Sequence, residues 1–346
     1  MILLGIESSC DDTSAALVED GRRILAVKTL SQIDIHKVYG GVVPEIASRK
    51  HLETVSGLAE EAVREAGIRK SDIGAVAATN RPGLIGALLT GFSFAKGAAY
   101  SLGVPLAAVN HIAGHVAAAY LAFPELEPPF LALSVSGGNT LFIKAETYTR
   151  MRVLGSTRDD AAGEAFDKIA RVMGIPYPGG AEIDRLAKAG REKYGVEEAE
   201  RLFPLPRPWF EDAPLDTSFS GLKTAFINTF HHAEQTGEEF DPLLAAASFT
   251  EAVGDILISR VEWALSRDDS RKLVVGGGVA ANSRLRERLL ETAEKTGVKL
   301  YMPPLSFCGD NAAMIASQGY YELLAGRTAE LSENAYASLE EAPGGF

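Results

Sequence analysis

His111 and His115 are the residues whose types and spacing most directly predict chemistry in this chain. They lie four residues apart in the apolar segment VNHIAGHVAAAYLA, so a helix would present both imidazoles on one face. Clustered imidazoles are typical ligands of zinc and iron, although two buried histidines with ordinary hydrogen bonds would give the same pattern. The intervening Ile112, Ala113 and Gly114 include no glutamate, so the HExxH motif of a metalloprotease is absent.

A third metal ligand is available in SFCGDNAAMIA, residues 306–316, where a loop leads into an apolar helix. Asp310 precedes that helix and could be its N-cap, a position that favours aspartate. Alternatively, its carboxylate joins the two histidines. Such a ligand set leaves coordination positions open for substrate or water, as in non-haem iron sites.

Glycine-rich loops predict a second site, for an anion such as a phosphate. SVSGGNT, residues 134–140, is a turn between two strands, and GGGVAAN, residues 276–282, joins a buried strand to a helix. Backbone N–H groups in such loops can bind an anion, whereas a plain tight turn is the alternative for the first loop. Asn282 could bind a ligand or cap the following helix. Neither loop matches GxGxxG or the Walker A motif.

Several carboxylates accompany these loops. GEAFDK places Asp167 on a helix, and PGGAEID places Gly180 and Asp184 where the next helix begins. Asp184 could bind ribose hydroxyls or stabilise the positive end of the helix dipole. Glu7 and Asp11, in ESSCDDT, are the candidates for a general base, and an exposed polar turn is the alternative for this segment.

A duplicated α/β pattern would position these residues. The strands ILLGIESS, SAALVED and RRILAVKTL begin the chain, and FLALSV, TLFIKAE and MRVLGST repeat the arrangement after residue 129. Helices and strands alternate after each hairpin, with Gly67 ending one helix and Asn110 as a candidate N-cap of the histidine helix. We therefore expect an α/β fold of two similar halves around a ligand cleft.

The expected domains follow from this duplication. Residues 1–129 form the first half, with the histidine helix, and residues 130–326 form the second. A proline- and charge-rich insertion is expected near 191–245, and a flexible tail over 327–346.

Composition restricts the class of protein further. The 346 residues are 46% hydrophobic, enough for sizeable cores, and the net charge of −12 means that binding RNA would need a local basic patch or a partner. Cys10 and Cys308 do not make a disulfide framework, which favours a reducing compartment. The chain begins without the charged segment of a signal peptide, and glycines interrupt its longest apolar stretch. We expect a cytoplasmic protein that does not associate with membranes.

Eight motifs within residues 5–317 occur together and in order: ESSCDDT, GGVVPEIASRKH, NHIAGH, SGGNT, GEAFDK, FSGLKT, GGGVAAN and CGDNAAM. The chain thereby resembles the TsaD family of bacterial tRNA N6-adenosine threonylcarbamoyltransferases, a glycoprotease-like family. The resemblance implies the actin/hexokinase/Hsp70-like fold, with two RNase-H-like halves around a central nucleotide cleft. It also implies the reaction of that family, which forms t6A. The threonylcarbamoyl group of threonylcarbamoyl-AMP passes to N6 of adenosine 37, in tRNAs that read codons beginning with A, and AMP is released.

The resemblance assigns roles to the residues identified above. His111, His115 and Asp310 would bind one divalent metal, Fe²⁺ by preference, with Zn²⁺ as an alternative. The ligand of the second site would be threonylcarbamoyl-AMP or an adenine nucleotide. The positions that would bind it are Ser134, Val135, Ser136, Gly137, Gly138, Asp167, Gly180, Asp184 and Asn282. Implied partners are tRNA, the paralogous subunit TsaB, the ATPase TsaE and an upstream threonylcarbamoyl-AMP synthase. The helix over residues 84–100 is a candidate surface for TsaB or an ordinary core helix.

Three positions depart from the family pattern without removing a proposed ligand. Asn139 replaces a histidine, Gly309 replaces a threonine and Arg81 replaces a glycine. Our hypothesis for the mechanism is that the metal polarises the threonylcarbamoyl carbonyl while the glycine loops hold AMP. Other functions compatible with the sequence are an Hsp70-like ATP-binding regulatory scaffold, a metalloprotease, which is the older label of the family, and a sugar kinase.

Overall fold

A computed structural model describes residues 1–339, so the expected tail residues 340–346 lie outside the described part. The chain forms two compact units. Unit 1 contains residues 1–129, 145–152 and those from 303 onward, and unit 2 contains residues 130–144 and 153–302. The expected second half, 130–326, differs from this division in two places, since residues 145–152 and the described residues from 303 onward belong to unit 1. The last helix packs on the sheet of unit 1.

Ten strands form two five-stranded sheets within the described residues. The strands are β1 (Ile2–Glu7), β2 (Asp12–Glu19), β3 (Arg23–Ser31), β4 (Ile73–Arg81), β5 (Leu106–Asn110), β6 (Phe130–Val135), β7 (Thr140–Ala145), β8 (Met151–Ser156), β9 (Lys272–Gly276) and β10 (Lys299–Tyr301). The first sheet has the order β3-β2-β1-β4-β5 and the second has the order β8-β7-β6-β9-β10. The two orders are equivalent, which confirms the duplicated α/β architecture.

Eleven α-helices connect or flank these strands in the described part of the chain. They are α1 (Ile33–His36), α2 (Pro44–Ala66), α3 (Ile85–Leu102), α4 (His111–Ala122), α5 (Ala162–Val172), α6 (Gly180–Tyr194), α7 (Val196–Leu202), α8 (Ser220–Thr236), α9 (Pro242–Leu265), α10 (Ser283–Thr296) and α11 (Ala312–Leu324). The predicted end of α2 is confirmed, since Gly67 adopts the left-handed conformation at its C-cap.

The sheet of unit 1 is covered on both faces. Successive side chains of a strand point to opposite faces, so Leu4 and Ile6 of β1 pack with α2 and α3, while Leu3 packs with α11. The pairs β1–β2 and β2–β3 are antiparallel, whereas the pairs β1–β4 and β4–β5 are parallel. The ends of β1 and β5 therefore lie at the same edge of the sheet, where Glu7 and the first residue of α4 are found.

Unit 2 is built around α9, most of whose residues are buried. By length and composition this helix could cross a membrane, but 72% of its most apolar window is buried inside the protein. Buried core helices of globular proteins have the same composition. The region expected as an insertion, 191–245, runs from the end of α6 to the start of α9 and contains α7 and α8, which are joined by a loop over residues 203–219.

The described part of the expected flexible tail, residues 327–339, is hydrogen-bonded to the rest of unit 1. Ala329 N–H donates to the carbonyl of Leu106, and Tyr336 N–H donates to the carbonyl of Asn80, both at 2.8 Å. Ala335 is buried. Polar composition suggested mobility here, but these backbone hydrogen bonds attach the segment to β4 and β5.

Candidate functional site

The histidine helix α4 starts immediately after β5, and Asn110 fixes that start. The side-chain Oδ1 of Asn110 accepts hydrogen bonds from Ile112 N–H at 2.8 Å and Ala113 N–H at 3.4 Å. The predicted N-cap is thus confirmed. Because the cap sets the first turn, His111 lies at the sheet edge, one helical turn before His115.

The start of α11 lies close to β1 and β2, and this places Asp310 beside α4. A Cβ atom added to Gly5 would lie 2.2 Å from the carbonyl oxygen of Ala312, so only glycine permits this approach. Ala312 N–H donates to Ser14 Oγ at 3.0 Å. Asn311, whose side chain accepts from Met314 N–H, is the N-cap of α11. The capping interpretation of Asp310 is therefore wrong, and its carboxylate points towards the histidines.

His111, His115 and Asp310 form one compact cluster. Each offers a ligand atom, and these atoms lie within 4.8 Å of one another. Oδ1 of Asp310 is 3.5 Å from Nε2 of His111 and 3.2 Å from Nε2 of His115. The two rings are perpendicular to each other, with centroids 4.6 Å apart. Residues that are far apart in sequence thus provide two nitrogens and one oxygen in one place.

His115 is the member of the cluster with the strongest need for a further partner. Its side chain is 1% exposed, and both ring nitrogens are buried without a hydrogen-bond partner among the described residues. Oδ1 of Asp310 lies 3.2 Å from Nε2, and this neighbour helps to lower the pKa of Asp310. A buried polar atom without a partner is costly. Two imidazole nitrogens and a carboxylate fit a divalent metal such as iron or zinc.

Glu7 is a buried carboxylate that contacts His111 of the cluster. It is fully buried and accepts hydrogen bonds from Ser9 N–H and Thr79 Oγ1–H, both at 2.5 Å. Its Oε2 also lies 3.1 Å from Nδ1 of His111. The exposed-turn interpretation of this segment is therefore wrong for Glu7, and no spacing pattern links residue 7 to residue 111. Only the meeting of β1 with α4 brings them together.

The electrostatics of the cluster favour a cation. Burial lowers the pKa of His111, but Asp310 and Glu7 outweigh burial and raise it to about 9. Burial raises the pKa of Glu7, yet the neighbouring His111 leaves it below its usual value. The pKa of Asp310 is also lowered, because His111 and His115 outweigh the effect of burial. Two ionised carboxylates thus surround the imidazoles in a buried environment.

Unit 2 contains a cavity of about 370 Å³, a volume typical of small-ligand sites. Five of the predicted binding residues line it: Gly137, Asp167, Gly180, Asp184 and Asn282. Gly163, Phe166, Pro178, Ala181, Gly278, Val279 and Ala281 complete the lining. The predicted Ser134, Val135, Ser136 and Gly138 are not part of it.

Three of the lining side chains make hydrogen bonds within the protein. Asp167 Oδ1 accepts from Gly179 N–H at 2.9 Å. Asp184 accepts from both the N–H and the hydroxyl of Ser283, the first residue of α10. Asn282 caps the same helix through Leu285 N–H. Side chains therefore accept from N–H groups at the start of α10, whereas the N-cap residue of α6, Gly179, has no side chain to cap that helix.

Two of the predicted binding residues, Val135 and Ser136, contact neighbouring glycines through their backbone carbonyl groups. Gly277 has a φ of 95°, and a Cβ atom there would lie 2.4 Å from the carbonyl oxygen of Val135. A Cβ atom on Gly163 would lie 2.6 Å from the carbonyl oxygen of Ser136. Ser134 Oγ is buried without a hydrogen-bond partner in the described region. The SGG turn thus packs directly against Gly163, and Val135, the last residue of β6, packs against Gly277.

Comparisons with known proteins agree with one family. The profile of "TsaD: tRNA N6-adenosine threonylcarbamoyltransferase" matches residues 23–317. Two curated proteins named tRNA N6-adenosine threonylcarbamoyltransferase, from Moorella thermoacetica and Clostridium perfringens, are 49% and 48% identical to this chain. These alignments cover 97% and 98% of this chain, and 96% and 97% of the relatives. Component A of (R)-2-hydroxyglutaryl-CoA dehydratase from Acidaminococcus fermentans has a TM-score of 0.53 at 17% identity, over 94% of this chain and 99% of that protein, which shows the shared fold.

Proposed function

The chain belongs to the TsaD family of tRNA N6-adenosine threonylcarbamoyltransferases, and we propose that it performs this transfer with the histidine–aspartate cluster of unit 1 and the cavity of unit 2. The enzyme class follows from the family. The observation that supports the role of the cluster is the convergence of His111, His115 and Asp310, whose ligand atoms lie within 4.8 Å of one another. In this proposal, His111, His115 and Asp310 hold one divalent metal, Fe²⁺ or Zn²⁺.

The cluster would act on the acyl group. When bound, a divalent metal supplies Lewis-acid polarisation of a carbonyl, here that of the threonylcarbamoyl group. Glu7 keeps Nδ1 of His111 engaged and so directs Nε2 towards Asp310. The hydrogen bonds that Glu7 already accepts argue for a positioning residue rather than a general base. Asp11 stays the candidate base.

The cavity of unit 2 would hold the AMP portion of threonylcarbamoyl-AMP. Gly180 and Ala181 line the cavity at the start of α6, whose N-cap residue, Gly179, has no side chain to accept from the first N–H groups. Free N–H groups at a helix start bind phosphate, and they would also stabilise AMP as it leaves. Asp184 and Asn282 also line the cavity, and their hydrogen bonds fix the start of α10.

The proposed reaction is an acyl transfer. The N6 amine of adenosine 37 attacks the carbamoyl carbon, a new N–C bond forms, and the bond from carbon to the phosphate oxygen breaks. AMP departs, and the amine loses one proton. Because N6 is a weak nucleophile, positioning and charge stabilisation carry the rate enhancement. Adenosine 37 lies in an unpaired loop, which makes its base accessible.

We also propose the cytoplasm as the site of action and TsaB, TsaE and a threonylcarbamoyl-AMP synthase as partners. A docking surface on α2 and α3 is consistent with a partner subunit, since Leu52, Leu89 and Tyr100 are exposed there. The acidic net charge of −12 fits a protein that needs such partners to bind tRNA.

The test is reconstitution with tRNA, the proposed partners, threonine, bicarbonate and ATP, followed by mass spectrometry of the nucleosides. The wild-type chain should produce threonylcarbamoyladenosine, and His111→Ala, His115→Ala and Asp310→Ala should not. Full activity in all three variants would refute the role of the cluster. Nucleotide binding without modified tRNA would instead indicate an Hsp70-like scaffold. Cleavage of a glycoprotein would support the older protease label.

A further inference from the structure

The motif GGVVPEIASRKH, residues 40–51, ends in a buried histidine that the proposed transfer does not use. This residue, His51, belongs to α2 and is fully buried in unit 1. Its Nε2 lies 2.9 Å from the carbonyl oxygen of Cys10, and its Nδ1 lies 2.7 Å from Thr13 Oγ1. His51 therefore contacts both the β1–β2 turn, residues 8–11, and the strand that follows this turn.

The two contacts of His51 require a single protonation state of its ring. A carbonyl oxygen can only accept, so Nε2 carries the hydrogen that is donated to Cys10. Burial lowers the pKa of His51, and a neutral ring near pH 7 leaves Nδ1 as an acceptor for the Thr13 hydroxyl. Gln32 Nε2, at 3.5 Å, is a second donor beside Nδ1. His51 thus directs its one N–H group at the β1–β2 turn.

Gln32 and His36 connect His51 to the loop that precedes α2. Both side chains are fully buried. Nδ1 of His36 accepts from Val43 N–H at 3.2 Å, so Nε2 of the same ring donates to Gln32 Oε1, also at 3.2 Å. The amide of Gln32 is thereby oriented with its Nε2 towards His51. These buried hydrogen bonds fix the ring of His51 from the side away from the turn.

The three backbone carbonyls of residues 9–11 each accept a hydrogen bond from a different segment of unit 1. In chain order, their donors are Leu84 N–H at 2.8 Å, His51 Nε2–H at 2.9 Å and Gln32 N–H at 3.0 Å. Two of these donors are backbone groups, whereas His51 donates from its side chain. A substitution of His51 can therefore remove the middle hydrogen bond and leave the backbone donors of the other two in place.

We propose that His51 is a positioning residue for the transfer, because its hydrogen bond to Cys10 sets the backbone from which the carboxylate of Asp11 projects. This role rests on the proposed function, in which Asp11 is the candidate base and takes the proton that the N6 amine loses. The turn lies beside the metal cluster, since Ser9 Oγ is 3.1 Å from Nδ1 of His111. A base must be held within hydrogen-bond reach of the proton it takes, so a shifted turn costs rate rather than tRNA affinity.

His51→Asn and His51→Gln test this role in steady-state kinetics with the full-length chain and its proposed partners. An asparagine amide reaches only the position of Nδ1, whereas a glutamine amide reaches that of Nε2 and can still donate to Cys10. His51→Asn should lower kcat about 10- to 100-fold and leave KM for tRNA unchanged, and His51→Gln should keep most of the wild-type rate. His232→Asn, at an exposed position of α8, is the control and should match the wild type. A wild-type rate in His51→Asn, or equal losses in both His51 variants, would overturn the proposal.

Two further measurements do not depend on activity. Nitrogen-15 NMR of the wild-type chain near pH 7 should show His51 as the Nε2–H tautomer, and a protonated ring or the Nδ1–H tautomer would overturn the proposal even if His51→Asn fails to fold. Hydrogen–deuterium exchange of residues 8–11 should be faster in His51→Asn than in His51→Gln, and equal exchange would also overturn it. A wild-type chain that shows the expected tautomer but transfers nothing to tRNA would refute the proposed function instead.

Discussion

Oε2 of Glu7 lies 3.1 Å from Nδ1 of His111, so a residue at the end of the first strand determines which ring nitrogen faces Asp310. Ser9 Oγ lies at the same distance from this nitrogen. Nδ1 of His111 thereby has its polar neighbours within the protein, and Nε2 of the same ring faces Asp310. Metal-binding histidines are commonly oriented in this way by a carboxylate on the other nitrogen.

The first prediction concerns this carboxylate. Glu7→Gln should weaken metal affinity about 10- to 100-fold, because the amide no longer supplies a charged acceptor to His111. Competition with a chromogenic chelator measures the affinity. Glu60→Gln, at an exposed glutamate of α2, is the control and should bind metal as the wild type does. An unchanged affinity in Glu7→Gln would show that Glu7 is only a buried structural acid.

The second prediction concerns the ligands themselves. Asp310→Asn preserves the volume of the side chain but removes a negative charge from the cluster, so transfer to tRNA should fall about 100-fold or more. Chelation of the wild-type protein should have the same effect, and added Fe²⁺ or Zn²⁺ should restore activity. Asp34→Asn changes an exposed aspartate of α1 and should leave transfer unaltered. Activity that survives both chelation and Asp310→Asn would contradict a metal at this site.

The third prediction concerns the contact that positions Asp310. Gly5→Ala should lower the free energy of unfolding by about 1–3 kcal/mol, because its Cβ atom would overlap the carbonyl oxygen of Ala312 and force α11 away from β1. Metal affinity should fall as well. Urea denaturation and the chelator assay measure the two effects. Gly57→Ala is the control, since a Cβ atom there meets nothing within 4 Å and alanine favours the helix. Wild-type values for Gly5→Ala would refute this account.

The fourth prediction concerns the cavity of unit 2. Gly163→Ala would bring a Cβ atom to 2.6 Å from the carbonyl oxygen of Ser136 and 2.7 Å from the Cα atom of Gly137. The turn should move, and calorimetric titration should show weaker binding of AMP. Gly221→Ala on α8 has open space around its Cβ position and should bind AMP normally. Equal affinities in the two variants would show that the SGG turn does not shape the AMP site.

Local sequence signals were sufficient to predict the duplicated α/β architecture and several helix boundaries. Alternation of apolar residues predicted the repeated three-strand units, and Gly67 and Asn110 predicted a helix end and a helix start, because these features depend on neighbouring residues alone. The spacing of His111 and His115 likewise placed both imidazoles on one helix face. Each of these features depends on residues that are close in sequence, so it can be predicted without the tertiary structure.

Tertiary structure decided the relationships between distant residues. From the sequence, Asp310 could have been a helix cap. In the structure Asn311 caps α11, and the close approach of Gly5 to Ala312 places the carboxylate of Asp310 beside the histidines. Asp184 lines the cavity of unit 2 and also accepts a hydrogen bond from Ser283 at the start of α10, a contact that the sequence did not predict. Glu7 meets His111 only because β1 and β5 end at the same edge of one sheet. Such contacts arise from packing between elements, and no spacing along the chain encodes them.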